Sequence, residues 1–264
     1  MAGARAIVCL ALGAACAIAD ANAGIVIGAT RIVFPGASRD VAVRVQNKGQ
    51  EPALVQAWID DGDDRSTPEN ARAPFAITPP VFRIDPGRGH ALRIVHVGDH
   101  PPADREVLYW LNVLEIPPSP DAGKSANTLQ FAFRHRLKLL HRPPGLSVDP
   151  SAAPSSLVWS IESGDALPRL HVSNPSPYVL SFNEVAIMGG GSPGKTFPLG
   201  GGMVAAGGQA TWSLPKAVSF PAAASVTFAT INDYGAVVPG MAKLAAAPAA
   251  PAAPAAPAVP ASSD

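Results

Sequence analysis

Residues 40–46 alternate apolar and polar side chains, with Val41, Val43 and Val45 on one side and Ala42, Arg44 and Gln46 on the other. That two-residue period predicts a β-strand with one buried face. Residues 129–143, LQFAFRHRLKLLHRP, begin in the same way, with Leu129, Phe131 and Phe133 opposite Gln130, Ala132 and Arg134. The stretch then carries Arg134, His135, Arg136 and Lys138, a density of positive charge that suits a sheet edge better than a central strand. Further β-rich runs lie at residues 25–27, 30–34, 52–59, 75–84 and 91–97, separated by turn residues such as Pro35-Gly36, Asn47-Lys48-Gly49 and Asp85-Pro86-Gly87. These runs read as a meander, with Trp58 as a core residue. A second strand-rich block starts at Leu157, after a weak break at residues 149–156, and includes residues 170–175, 179–187 and 225–231. No long amphipathic helical run occurs, so the fold class is all-β, built of sandwiches.

The chain of 264 residues is long enough for two ordinary domains. Lys plus Arg and Asp plus Glu number 20 each, so bulk charge favours neither nucleic acid nor an acidic membrane as partner. Residues 1–23 read as a cleavable signal peptide: Arg5, a small apolar run from Ala6 to Ala19, and the A-x-A site Ala21-Asn22-Ala23. The apolar run is short for a membrane span. Both cysteines, Cys9 and Cys16, lie inside this segment, so a chain starting at Gly24 has no thiol chemistry and no disulfide. A lipidated Cys16 is the rival reading, but Gly13 stands where a lipoprotein signal has a leucine or a similar residue. At the other end, residues 245–264 are an Ala/Pro repeat that cannot bury a core and is expected to be disordered.

Catalytic chemistry finds little support. The carboxylates Asp60, Asp61, Asp63 and Asp64 suggest a calcium loop, but the Glu at the twelfth position and the flanking helices are missing, so residues 60–70 read as a solvated loop. The glycine-rich stretches at 189–194 and 200–208 lack the strand and helix context of a phosphate site. His90, His96 and His100 are close together but show no HxH or HExxH spacing, and no GxSxG elbow occurs. The expectation is a protein that is not an enzyme, with no metal and no cofactor.

A series of motifs, in order, points elsewhere. They are Thr30-Arg31-Ile32-Val33-Phe34-Pro35-Gly36, Val55-Gln56-Ala57-Trp58, and Thr78-Pro79-Pro80 with Arg83 and Pro86-Gly87. Leu92-Arg93-Ile94, the run from Asp104-Arg105-Glu106 to Pro118, the run from Lys138 to Pro143, Asn174-Pro175 and Ile231-Asn232-Asp233-Tyr234-Gly235 complete the set. Together they resemble the periplasmic pilus-assembly chaperones, the PapD-like family, over about residues 24–244. The resemblance implies two immunoglobulin-like β-sandwich domains set at an angle with a cleft between them, here residues 24–146 and 147–244. It implies a periplasmic location, and capture of pilin (fimbrial) subunits by donor-strand complementation. It also implies delivery of those subunits to an outer-membrane usher, without ATP or nucleic acid. The alternative reading is a secreted tandem β-sandwich that serves as an adhesion or fibre-forming module.

By the same resemblance, Arg31 and Lys138 are the basic pair that holds the pilin C-terminal carboxylate, a task suited to charge-assisted hydrogen bonds in a dry setting. Leu129, Phe131 and Phe133 are the donor residues that fill the pilin's open groove; the structural alternative is that they pack in the first domain's own core. Glu106, Arg142 and Asp233 are an inter-domain charge cluster, with the Arg fork shared between two carboxylates. Two departures stand out: Val107 replaces the Ser or Thr usual after Asp-Arg-Glu, and Leu140-His141 replaces two aromatics. An exposed Phe-rich edge also leaves the free chain open to self-capping as a homodimer.

Overall fold

The computed structural model describes residues 24–99, 101–119, 129–162, 168–189, 195–215 and 224–245. The expected signal peptide, His100, residues 190–194 of the first glycine-rich stretch and all of the Ala/Pro tail after Ala245 lie outside the described residues. Sixteen β-strands and one short 3-10 turn make up the described elements. They fall into two compact units. The first comprises the residues up to Pro101 together with Leu108–His141, and the second comprises Pro102–Val107 together with the residues from Arg142 onward.

The first unit contains β1 (Ile25–Ile27), β2 (Arg31–Pro35), β3 (Asp40–Asn47), β4 (Ala53–Asp60), β5 (Phe75–Thr78), β6 (Val81–Ile84) and β7 (Gly89–His96). To these it adds nearly all of β8 (Val107–Ile116) and β9 (Phe133–Arg142). One sheet has the order β1-β3-β7-β5 and the other β2-β9-β8-β4-β6. The strands therefore do not form the expected meander: β3 pairs with β7, and β4 pairs with both β6 and β8, all antiparallel. The turn after β3 is a corner between sheets and not a hairpin. Asn47 is buried there and donates from Nδ2 to the carbonyls of Glu51 and Ile84, while its Oδ1 accepts from the Gly49 N–H. A side chain with three backbone partners redirects the chain where a two-residue hairpin would return it.

Between the two sheets lie Phe34, Val45, Val55, Leu92, Ile94, Leu111, Val113 and Leu139, all fully buried. The expected inward row of β3 is in place, with Val43 and Val45 buried and Val41 half-buried. On β4 the odd-numbered row, Val55, Ala57 and Ile59, faces this core. Trp58 is buried as expected, but on the other face of the strand.

The second unit contains β10 (Val158–Glu162), β11 (Arg169–Ser173), β12 (Leu180–Met188), β13 (Thr196–Val204), β14 (Gln209–Ser213), β15 (Ser225–Ile231) and β16 (Val237–Lys243). Its sheets have the orders β10-β11-β14 and β13-β12-β15-β16. Trp159 centres the core, 1% exposed, with Phe228 stacked on it and Phe182 edge-on, beside Leu170, Ile187 and Val226. Gly240 on β16 is fixed by that packing: a Cβ there would run into the Phe228 ring.

Candidate strand-addition site

β9 is the strand on which the site is built, and it departs from the sequence expectation in two ways. It begins at Phe133, so Leu129 and Phe131 precede the strand instead of belonging to it. Alternation alone sets a period; a strand also needs a ladder partner, and residues 129–132 have none among the described residues. The strand is also not an edge over its whole length, because it lies between β2 and β8. β2 has five residues and β9 has ten. Arg31 of β2 acts electrostatically on Lys138 of β9, and Phe34 stacks on His141 with ring centroids 5.9 Å apart. Both pairs have the same offset along the chain, so β2 accompanies the second half of β9 in the same direction. Residues 133–136 run past the start of β2, and among the described residues no other strand lies on that side. Half of β9 is therefore an open edge.

Along β9 the odd-numbered row changes character. Leu137 and Leu139 are buried in the core of the first unit, whereas Phe133, 59% exposed, is in solvent. Ahead of it Phe131 and Leu129 are also exposed, at 59% and 77%. The Phe131 and Phe133 rings lie 6.4 Å apart. The alternative in which these three side chains pack in the domain's own core is thus overturned. They form an apolar row held outside it, next to unpaired backbone, and that combination is suited to an extended partner.

The basic pair stands at the other end of this open half. Arg31 is buried. Burial, and secondly the Arg31 charge, push the Lys138 ammonium down to about 8. Two cations gathered in a half-buried place favour an arriving anion, which relieves their repulsion and replaces lost hydration. His141, where two aromatics were expected as the family pattern, is buried against Phe34, Phe75 and His96, so an imidazole takes the aromatic's place in the stack.

The third predicted group is assembled in the second unit. Arg142 donates from Nε to Glu106 Oε1 at 2.6 Å, and from its two terminal nitrogens to both Asp233 oxygens at 2.7 and 2.9 Å. Glu106 is buried and accepts the Val179 N–H at 2.9 Å, while its own N–H donates to the Pro177 carbonyl. Burial pushes the Glu106 carboxyl above its ordinary value despite the Val179 and Arg142 hydrogen bonds. Burial opposes the Arg142 charge too, but the bonds to Asp233 and the Glu106 charge hold the guanidinium firmly protonated. All three residues belong to the second unit, because the segment Pro102–Val107 groups with it. The second unit therefore includes a short excursion of the chain that precedes the residues from Arg142 onward.

The loop after β4 differs most from its sequence reading. Asp60 is not solvated: it ends β4 and is fully buried. Its carboxylate accepts from Asn112 Nδ2 at 2.6 Å, Arg136 at 2.6 Å, the Gly62 N–H at 2.8 Å and Ser66 Oγ at 3.0 Å, with Arg134 at 3.7 Å. Burial alone raises its pKa, but these donors outweigh that effect and hold it below the ordinary carboxylate range. Asp61, Asp63 and Asp64 are exposed. Of the histidines weighed as a metal site, His90 packs on Phe82 and His96 joins the His141 cluster, and no group of three His, Cys, Asp or Glu residues that could hold a metal occurs among the described residues. No helix among them is long and apolar enough to cross a membrane.

The chain is similar to known proteins over most of its length. Residues 24–147 match the family model described as pili and flagellar-assembly chaperone, PapD N-terminal domain, and residues 152–242 match pili assembly chaperone PapD, C-terminal domain. The probable fimbrial chaperone YadV of Escherichia coli (strain K12) is 40% identical over 225 residues, which is 84% of this chain and 90% of that protein. The crystal structure of the Pseudomonas aeruginosa CupB2 chaperone aligns with a TM-score of 0.68 at 36% identity, covering 83% of this chain and all of that one. A chain of the Salmonella enterica complex of SafA pilin with the SafB chaperone aligns with a TM-score of 0.67 at 28% identity, covering 84% of this chain and 96% of its own. With both family domains matched in order over nearly all the described residues, the chain belongs to the PapD-like family of pilus-assembly chaperones.

Proposed function

We propose that this protein is a periplasmic, ATP-independent chaperone, not an enzyme, that captures pilin subunits by lending them a strand and passes them to an outer-membrane usher. The observation that carries the reading is the open half of β9. Exposed Phe131 and Phe133 continue a row whose later members are core residues, and unpaired backbone runs beside them. A subunit that lacks one strand of its own sandwich presents the complement: an apolar groove between two unsatisfied edges. Its pairing with residues 129–136 satisfies those backbone groups and buries the three side chains, each contributing roughly 1.5–3 kcal/mol. Arg31 and Lys138 then fix the register by receiving the subunit's terminal carboxylate at the end of the added strand, since a one-residue slip would turn every donor side chain away from the groove. Release requires no hydrolysis, because the extension of the next subunit replaces the donor strand. The relatives' names favour this reading over a secreted adhesion or fibre-forming module.

The test is co-expression of the chain, tagged after Asp264, with untagged fimbrial subunits of the source genome. The reading predicts recovery of a soluble one-to-one complex that ATP does not dissociate. Recovery of the chaperone alone with every subunit, while the subunits aggregate, would overturn it.

A further inference from the structure

Three neighbouring strands each carry, on the face turned away from the core, two functional side chains spaced two residues apart: Trp58 and Asp60 on β4, Trp110 and Asn112 on β8, Arg134 and Arg136 on β9. The register of β4 with β8 sets Trp58 opposite Asn112 and Asp60 opposite Trp110. The Arg134 guanidinium lies over the Trp58 ring at 4.8 Å and that of Arg136 over Trp110 at 4.6 Å. Arg134 also donates from Nε to Asn112 Oδ1 at 2.9 Å and from a terminal nitrogen to the Asp64 carbonyl at 2.8 Å. The loop closes over this face through Ser66, whose hydroxyl donates to Asp60 and accepts from Trp58 Nε1 at 3.1 Å. Asp60 is the hub, since Arg136, Asn112, Ser66 and Gly62 all converge on its buried carboxylate.

The location of this side-chain network gives it a meaning beyond stability. Arg134 and Arg136 alternate with Phe133 and His135 in the open half of β9, the part that β2 does not cover. A strand edge paired on one side only frays, and a frayed donor strand must be ordered again at each binding event, at a cost in affinity. Resting on the strand-addition reading above, we infer that Asp60 is a positioning residue. Through Arg134 and Arg136 it holds residues 133–136 extended before the pilin arrives, so that Phe133 is presented and not searching.

The experiment compares full-length wild type with Asp60→Asn, and with Ser66→Ala as a milder variant should Asp60→Asn not fold. Amide hydrogen exchange is followed in the free chaperone, and complex recovery with co-expressed pilin is measured beside it. The expected result is exchange about tenfold faster or more at residues 133–137, with β11 and β15 of the second unit unchanged and pilin recovery lowered in proportion. Unchanged exchange at residues 133–137 in both variants, or faster exchange there with undiminished pilin recovery, overturns the inference. If the wild type itself recovers no pilin, the strand-addition reading fails while the exchange data still decide whether Asp60 orders the strand.

Discussion

Lys138 lies within the field of Arg31 on the adjoining strand, and burial together with that like charge brings its pKa down from 10.5 to about 8. The unfolded chain keeps the ordinary lysine value, so above about 8 the unfolded state binds more protons than the folded one and the Lys138 contribution to stability improves as pH rises toward 10.5. The proposed carboxylate capture is expected to follow the opposite course, since it would need the charged ammonium. Pilin affinity is predicted to be flat below the Lys138 pKa and to fall by up to about tenfold per pH unit above it. Titration of complex formation with pH checks this, and Lys138→Arg, whose charge does not titrate in that window, should remove the fall.

The exposed donor row separates binding from folding. Phe131→Ser and Phe133→Ser remove side chains that the free protein keeps in solvent, so unfolding by urea should shift by no more than about 0.5 kcal/mol. Pilin recovery should drop severely for each, because a polar side chain would then enter an apolar groove. A stability loss of several kcal/mol for Phe133→Ser would show that the side chain belongs to the domain's own core after all.

The Arg142 group behaves in the reverse sense. Glu106 is nearly inaccessible, with a side chain 1% exposed, and Arg142 is its charged partner. Arg142→Ala leaves that carboxylate buried and uncompensated, which costs about 3–5 kcal/mol. Asp233→Asn should cost much less, about 1 kcal/mol, since a side chain 32% exposed regains water and Glu106 keeps its arginine. Urea unfolding of the three proteins gives the ranking directly. The Glu106 carboxyl, raised by burial, adds a sign: ionising it opposes folding, so acidification from neutral pH through its pKa lessens the damage in Arg142→Ala.

Much of this was legible along the chain. The alternations at Val41, Val43 and Val45 and at residues 129–133 mark strands or apolar rows directly, because side-chain period is a local property. Pairing is not local. Nothing in the β3 residues says that their neighbour is β7, some fifty residues on, or that β2 stops short of the first half of β9. Asp60 shows the limit most clearly. Next to Asp61, Asp63 and Asp64 it reads as solvated, and only partners from β8, β9 and Ser66 make its burial tolerable. A signal was present nonetheless: Trp-x-Asp at 58–60, Trp-x-Asn at 110–112 and Arg-x-Arg at 134–136 share the two-residue spacing that places each pair on one strand face. The Pro102–Val107 segment was hidden for a different reason, because the Glu106 contacts to Pro177 and Val179 span more than seventy residues.

The central claim is that Arg31 and Lys138 receive a pilin carboxylate beside an open donor strand. The most direct measurement is recovery of pilin by co-expression and pull-down for wild type, Arg31→Ala and Lys138→Ala, with unfolding curves to show that all three are folded. The account predicts a soluble one-to-one complex for wild type and its loss in both variants. Folded variants that recover pilin as well as wild type would contradict it.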